Sequence, residues 1–217
     1  MRKAHTHPKS YGFTIVELLV ALAVFSVVLV VVTAAIIQIS RVYYKGFTET
    51  QVQTTARTVM DTISQGIQFG GGTIIGTPTS QTPGTSYAFC LGNQEYSFRP
   101  GYQLVDTTPG IDQTNNALVV RTTAACSGTS AQNLAGAVTG REMLAPRMRL
   151  SKMVVKSVGT NLYQIQIRLV YGDDDLLVSP SGSPNGPKAT DAACKGQDGR
   201  QFCAVSELNT TVIRRVK

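Results

Sequence analysis

The sequence predicts an α+β protein in which one long N-terminal helix, membrane-spanning and then amphipathic, packs on a small antiparallel β-sheet head. Three observations predict it. The run from Phe13 to Ile37 is apolar and carries Glu17 as its only charge. No proline occurs between residues 9 and 77, so a helix begun near Thr14 can continue well past that run. From Gly70 onward the chain becomes rich in Thr, Gly, Ser and Gln, with short alternating runs broken by turn residues.

The first element is the apolar run. At ~1.5 Å per residue its roughly 25 residues reach ~38 Å as a helix, enough to span a bilayer with some tilt. A removable secretory signal has an apolar stretch of only about 7–15 residues and a small residue after it. Here the small residue, Gly12, precedes the run, and no cysteine lies nearby to take a lipid. Glu17 is the second departure. A carboxylate at the centre of a spanning helix costs about 2.5–3.5 kcal/mol, less near the interface. Either it reaches back to water, or it meets a cation in the same apolar layer. Cleavage after Gly12 would create such a cation, the new amino terminus of Phe13. The basic leader with Arg2, Lys3 and Lys9 is expected to stay in the cytoplasm, although Arg41 and Lys45 reduce the asymmetry. The formal charge is +7, and the chain from Phe13 would carry +4, a mild basic bias that selects no partner.

The second element continues the helix. Val52, Ala56, Val59, Met60, Ile63 and Ile67 recur at spacings of three and four among polar residues, which predicts a core-facing stripe. A single helix over about residues 14–68 would measure ~80 Å. Gly46 and Gly66 interrupt it weakly, and Gly70-Gly71-Gly72 ends it.

The head follows. Thr77–Thr85 reads as a turn-rich linker; Tyr87–Leu91, Glu95–Phe98, Tyr102–Val105 and Ala117–Thr122 read as short strands. Arg99-Pro100-Gly101-Tyr102 is a turn. Leu150–Val158 and Leu162–Tyr171 form the clearest pair, with Tyr163, Ile165, Ile167, Leu169 and Tyr171 on one face. Gly172–Gly199 reads as mostly loop, and Phe202–Val205 and Thr211–Val216 as final short strands. Cys90, Cys126, Cys194 and Cys203 all lie beyond the apolar run, an even number that suggests two disulfides. Three pairings exist; closure of local loops favours Cys90–Cys126 with Cys194–Cys203. Zinc is the rival, but there is no CxxC, and His5 and His7 both precede the apolar run.

No catalytic set is evident. Neither GxSxG nor a P-loop is present, Glu142 and Asp61 stand isolated, and no cofactor is implied. Asp173-Asp174-Asp175, with Asp191 and Asp198 later, is the one dense acidic cluster; it lacks the EF-hand order of ligands and reads as a solvated turn before it reads as a calcium site. Arg141, Arg147, Arg149, Lys152 and Lys156 form a basic stretch, and Arg214, Arg215 and Lys217 end the chain. Nucleic acid could be held there through phosphates, but no aromatic residues interleave to stack bases.

Gly12-Phe13-Thr14-Ile15-Val16-Glu17-Leu18-Leu19-Val20-Ala21-Leu22 resembles the class III signal of type IV prepilins and type II secretion pseudopilins. The resemblance covers about 30 residues, and the long two-part helix is similar to the pilin fold. It implies a leader 1–12, a transmembrane or filament-core helix 13–40, an amphipathic helix 41–69 and an extracytoplasmic head 70–217. It also implies cleavage after Gly12, methylation of Phe13, and use of Glu17 for recruitment and register in a growing filament. The implied partners are other pilin subunits, the prepilin peptidase, an inner-membrane assembly platform and membrane lipid. Chain length and cysteine count lean toward a minor subunit, and Glu17 speaks against the tip pseudopilin type, which usually lacks that glutamate. The Cys194–Cys203 pair would resemble the cysteine-closed end of many pilins. Pilin helices often carry a proline in the apolar half; this one has none.

Overall fold

The computed structural model describes residues 12–71, 74–103, 116–124, 126, 128, 131–134, 138–196 and 199–215. Residues 1–11 of the expected leader, Gly72, the far half of the strand expected at Tyr102–Val105, Asp198, Val216 and Lys217 lie outside them. The chain divides into two compact units, Met1–Val42 and Tyr43–Lys217.

In the first unit the helix α1 (Ile15–Phe69) begins. Its N-terminal part is apolar and long enough to cross a membrane, and its large side chains are exposed. The hydroxyls in this stretch find acceptors on their own helix. Ser26 donates to the Leu22 carbonyl at 2.7 Å, Ser40 to Ile36 at 2.9 Å, and Thr33 to Leu29. None of the three therefore carries an unsatisfied donor into lipid.

In the second unit α1 turns its stripe inward. Val52, Ala56, Val59, Met60, Ile63 and Ile67 are all buried, joined by Thr48 one turn earlier. The helix stops where the glycines begin, with the Gly70 amide donating to the Gly66 carbonyl at 2.9 Å. Against that stripe lie the strands, all antiparallel, divided among three sheets where the sequence suggests one. The first holds β1 (Ile74–Ile75), β2 (Tyr87–Leu91), β3 (Gln94–Phe98), β4 (Leu118–Thr122) and β5 (Arg141–Glu142), in that order. The second holds β6 (Met148–Gly159) and β7 (Leu162–Tyr171), with β10 (Ala204–Ile213) on the other side of β7. A two-stranded ribbon pairs β8 (Leu177–Val178) with β9 (Ala193–Cys194).

The core is aromatic on one side and aliphatic on the other. Phe89 stacks on Tyr96 at 4.7 Å and meets Phe98 edge-on at 6.2 Å. Burial pushes the Tyr96 phenol up to about 12, opposed in part by the charge of Arg141, and its hydroxyl donates to Gln94 at 2.9 Å. Ile165, Ile167 and Leu169 of β7 supply the aliphatic side. The linker 77–85 closes the outer edge of β6, where a free ladder would invite pairing. Thr77 donates its amide to Val155 and accepts the Val155 amide on its hydroxyl, both at 2.9 Å. Gly92, between β2 and β3, has φ +63°, and a Cβ there would stand 2.2 Å from the Gly71 carbonyl oxygen, so only glycine fits. Gly101, at φ +84°, supplies the positive φ that the Pro100-Gly101 turn requires.

One expectation is corrected here. The final segment is one ten-residue strand instead of Phe202–Val205 and Thr211–Val216, because Ala204 through Ile213 pair with β7 without a break. Phe202 instead ends a 3-10 turn, Arg200–Phe202. Tyr102–Val105 contributes only the Gln103 bridge to Arg149 among the described residues.

Candidate functional site

The Gly12–Phe13 bond lies in non-helical chain just ahead of α1, and both residues are exposed. Phe13 shows 84% of its surface, and a Cβ on Gly12 would meet nothing within 4 Å. Glycine at 12 is therefore not demanded by packing here.

Thr14 and Glu17 sit at the start of α1 as N-cap and third helical residue. The Glu17 carboxylate accepts the Thr14 amide at 2.9 Å and the Thr14 hydroxyl at 2.8 Å, while the Glu17 amide donates to the Thr14 hydroxyl at 3.2 Å. This is a reciprocal capping box, which satisfies donors that a helix start leaves open. Both carboxylate bonds use Oε2; among the described residues Oε1 accepts none. The site thus has one oxygen committed to its own helix and one available to an incoming cation. The Thr-x-x-Glu spacing carries this signal in the sequence, and reading Glu17 only as a charge in oil misses Thr14.

The cysteines form two bridges, Cys90–Cys126 and Cys194–Cys203, with Cα separations of 5.9 and 5.8 Å. The first ties β2 to the segment after β4. The second closes the loop between β9 and β10, and that loop rests on the base of α1 in the second unit. The Thr48 hydroxyl donates to the Gln201 carbonyl at 3.2 Å, and Lys45 Nζ reaches the Cys203 carbonyl at 3.5 Å.

The basic stretch does not form one surface. Arg149 is buried, donating to Asp174 at 2.6 Å and to the Gly172 carbonyl at 2.9 Å. Arg147 pairs with Asp173 at 2.6 Å, Arg141 and Lys156 are exposed, and Arg215 lies over the Phe69 ring at 5.9 Å. Asp173 and Asp174 of the acidic cluster are engaged by these same arginines, and Asp191 instead binds the Ser179 hydroxyl at 2.7 Å and the Ser181 amide at 2.9 Å. Glu142, isolated in sequence, accepts four backbone amides, from Ala117, Leu118, Met143 and Leu144. It acts as a staple between β4 and β5. An open groove of about 340 Å³ lies between α1 and β10, lined by Gln53, Arg57 and Val205 to Leu208. Its lining holds no nucleophile–base pair.

Comparison with known families finds one match: residues 7–33 fit the model described as the prokaryotic N-terminal methylation motif. Neither curated proteins nor solved structures give a match to the chain. The matched segment contains Gly12, Phe13, Thr14 and Glu17, and it stands on a helix with the length and apolarity of a membrane anchor, ahead of a disulfide-bonded antiparallel head. The chain thus carries the prokaryotic N-terminal methylation motif, and in that segment it is similar to the precursors of type IV pilins and pseudopilins.

Proposed function

We propose that the chain is a minor pilin or pseudopilin, a structural subunit of a type IV pilus or a related secretion or DNA-uptake filament. The observation that carries this reading is Glu17, a carboxylate five residues into an apolar helix that begins at an exposed Gly12–Phe13 bond. In the stored precursor the leader 1–12 lies on the cytoplasmic side, residues 13–40 span the membrane, and 41–69 join the head 70–217 outside. The prepilin peptidase cuts after Gly12 and methylates Phe13. An assembly platform then extracts the subunit. In the filament the Glu17 carboxylate meets the methylated amine of Phe13 on a neighbouring subunit, so both charges leave water as a pair. The apolar helices bundle around that pair.

The test is the mass of the N-terminus in membranes of cells that carry a prepilin peptidase. The reading expects a chain beginning at methylated Phe13, and a retained leader when Gly12 is replaced by a bulky residue. Because the space around Gly12 is open, such a replacement acts on recognition and not on folding. A leader attached in both proteins would favour the alternative, an uncleaved single-pass anchor that displays a binding head.

A further inference from the structure

Four large aromatic side chains cluster at the base of the second unit and remain open to solvent. Tyr43, Tyr44 and Phe47 are 69%, 50% and 57% exposed, and Phe202 is 39% exposed. The Tyr44 and Phe202 rings lie 5.6 Å apart, and Tyr43 meets Tyr44 edge-on at 6.1 Å. Phe202 is held there by its loop: the Cys194–Cys203 bridge closes it, and Thr48 and Lys45 bind its carbonyls. Cations lie beside these rings in sequence: Lys45 follows Tyr44, Arg200 precedes Phe202 by two residues, and Arg41 precedes Tyr43 by two. Simple packing accounts for the Tyr44–Phe202 contact, but it does not account for the exposure of Tyr43 and Phe47. A folded domain seldom leaves such a patch uncovered.

We infer that this aromatic and basic patch is a lipid-docking foot, through which the turn Arg200–Phe202 rests on the headgroup layer of the membrane that holds α1. Two observations choose lipid as the occupant. The apolar run ends at Ile37, six residues before Tyr43, so the patch follows the membrane segment closely along the chain. Its chemistry is that of an interfacial belt, amphipathic rings beside cations that attract anionic phosphates. Tyr43 and Tyr44 place their hydroxyls among headgroups, Phe202 and Phe47 enter the acyl boundary, and Arg200 binds a lipid phosphate. The foot rests on the membrane-anchor part of the proposed function and not on filament assembly. It would fix the head against the bilayer until the subunit is extracted.

The chain contains no tryptophan, so single reporters can be placed at will. The full-length oxidised protein is reconstituted in phosphatidylcholine–phosphatidylglycerol vesicles containing a headgroup-labelled quencher lipid. Four variants are compared: Phe202→Trp, Phe47→Trp, Phe69→Trp and Phe25→Trp. Phe69 lies 25 residues beyond Tyr44 on α1, ~38 Å along the axis, and reports a site away from lipid. Phe25 lies in the apolar run and reports insertion in parallel vesicles of the same lipids that carry a mid-chain quencher instead. The foot expects Phe202→Trp and Phe47→Trp to be quenched at least threefold more than Phe69→Trp. It also expects Arg200→Ser to lower the Phe202→Trp quenching in anionic vesicles and not in pure phosphatidylcholine. If Phe25→Trp is quenched while Phe202→Trp and Phe47→Trp match Phe69→Trp, the foot is overturned and the anchor stands. If Phe25→Trp is unquenched, anchor and foot fail together. The Phe47→Trp reporter, on an exposed helix face, keeps the test valid should Phe202→Trp disturb its loop.

Discussion

Thr14 and Glu17 hold each other across the first turn of α1, the carboxylate taking both the amide and the hydroxyl of the threonine through one oxygen. The cap and the proposed intersubunit pair therefore draw on one carboxylate through different oxygens. Separating them makes a prediction. Thr14→Ala removes the cap, weakening the helix start by about 1 kcal/mol, yet leaves the carboxylate free for the Phe13 amine. Glu17→Ala removes both. The expected outcome is that Thr14→Ala enters sheared filaments at close to the wild-type level while Glu17→Ala is depleted at least tenfold. N-terminal masses must show both proteins processed. Glu17→Ala incorporated at the wild-type level would end the charge-pair account.

Two glycines interrupt α1, and the structure distinguishes them. A Cβ on Gly46 would meet nothing within 4 Å, whereas one on Gly66 would stand 3.0 Å from Leu91 Cδ1 and 3.8 Å from the Tyr96 hydroxyl. Leu91 is itself buried and has little room to yield. Gly46→Ala should therefore gain most of the helix preference of alanine, up to about 1 kcal/mol. Gly66→Ala should lose the same gain to overpacking and finish about 1 kcal/mol below wild type. Thermal unfolding of the full chain in detergent ranks the three proteins, and the reverse order would refute the packing role of Gly66.

The helix was legible because its signal is periodic over many turns. Its ends fall within one residue of the expected 14–68, and all six stripe residues are buried. β2 and β7 were equally legible, the first as an apolar run and the second by its alternation of apolar and polar residues. The misses have physical causes. β1 and β5 are two residues long and leave no pattern. β10 was divided in two because Glu207, Asn209 and Thr210 interrupt its apolar sequence; as an edge strand it can carry those residues while its backbone pairs with β7. Arg149 reads as a surface cation by residue type, and only the tertiary fold brings Asp174 and the Gly172 carbonyl around it. At the N-terminal site, Gly12, Phe13 and Glu17 stood out by composition and spacing, but the cap made by Thr14 needed the helix start to be located first.

Glu142 carries a prediction of its own. Its two oxygens accept amides from four residues, all between 2.9 and 3.3 Å. Glu142→Gln would set an NH₂ group among backbone donors and leave at least one of them unpaired, at about 1–3 kcal/mol. The pH dependence has a definite sign. Burial raises the Glu142 pKa, opposed by those four amides, so its titration favours the fold below the unfolded value of about 4.3. That contribution is lost as pH rises through the folded value. The stability gap between wild type and Glu142→Gln should accordingly be wider at pH 3.5 than at pH 7. Equal stability of the two proteins at both pH values would remove Glu142 from the account of the fold.

Arg147 and Arg149 each face a carboxylate, and the two pairs differ in burial. Arg149 is enclosed while its partner Asp174 is half exposed; Arg147 and Asp173 are both half exposed. Desolvation raises the Asp173 pKa, but hydrogen bonds from Gln103 and Arg147 and the charges of Arg147 and Arg149 outweigh it, and the net shift is downward. A depressed carboxylate contributes stability above its unfolded pKa, about 3.9, and loses it as pH falls through the folded value. Solvent screening limits that part to at most about 1 kcal/mol. Asp173→Asn should thus flatten the acid limb of the stability curve below pH 4 and change little at pH 7. Asp174→Asn should act at pH 7 as well, by about 2 kcal/mol, because a buried guanidinium loses its one hydrogen-bonded carboxylate. Asp173, whose charge already interacts with that of Arg149, then remains to compensate it, so the double variant should fall further than the sum of the two single losses. Melting curves from pH 2.5 to 7 for the three variants decide the matter. A neutral Asp174→Asn, or strict additivity in the double variant, would show that Arg149 is held by the Gly172 and Gly101 carbonyls without help from the acidic cluster.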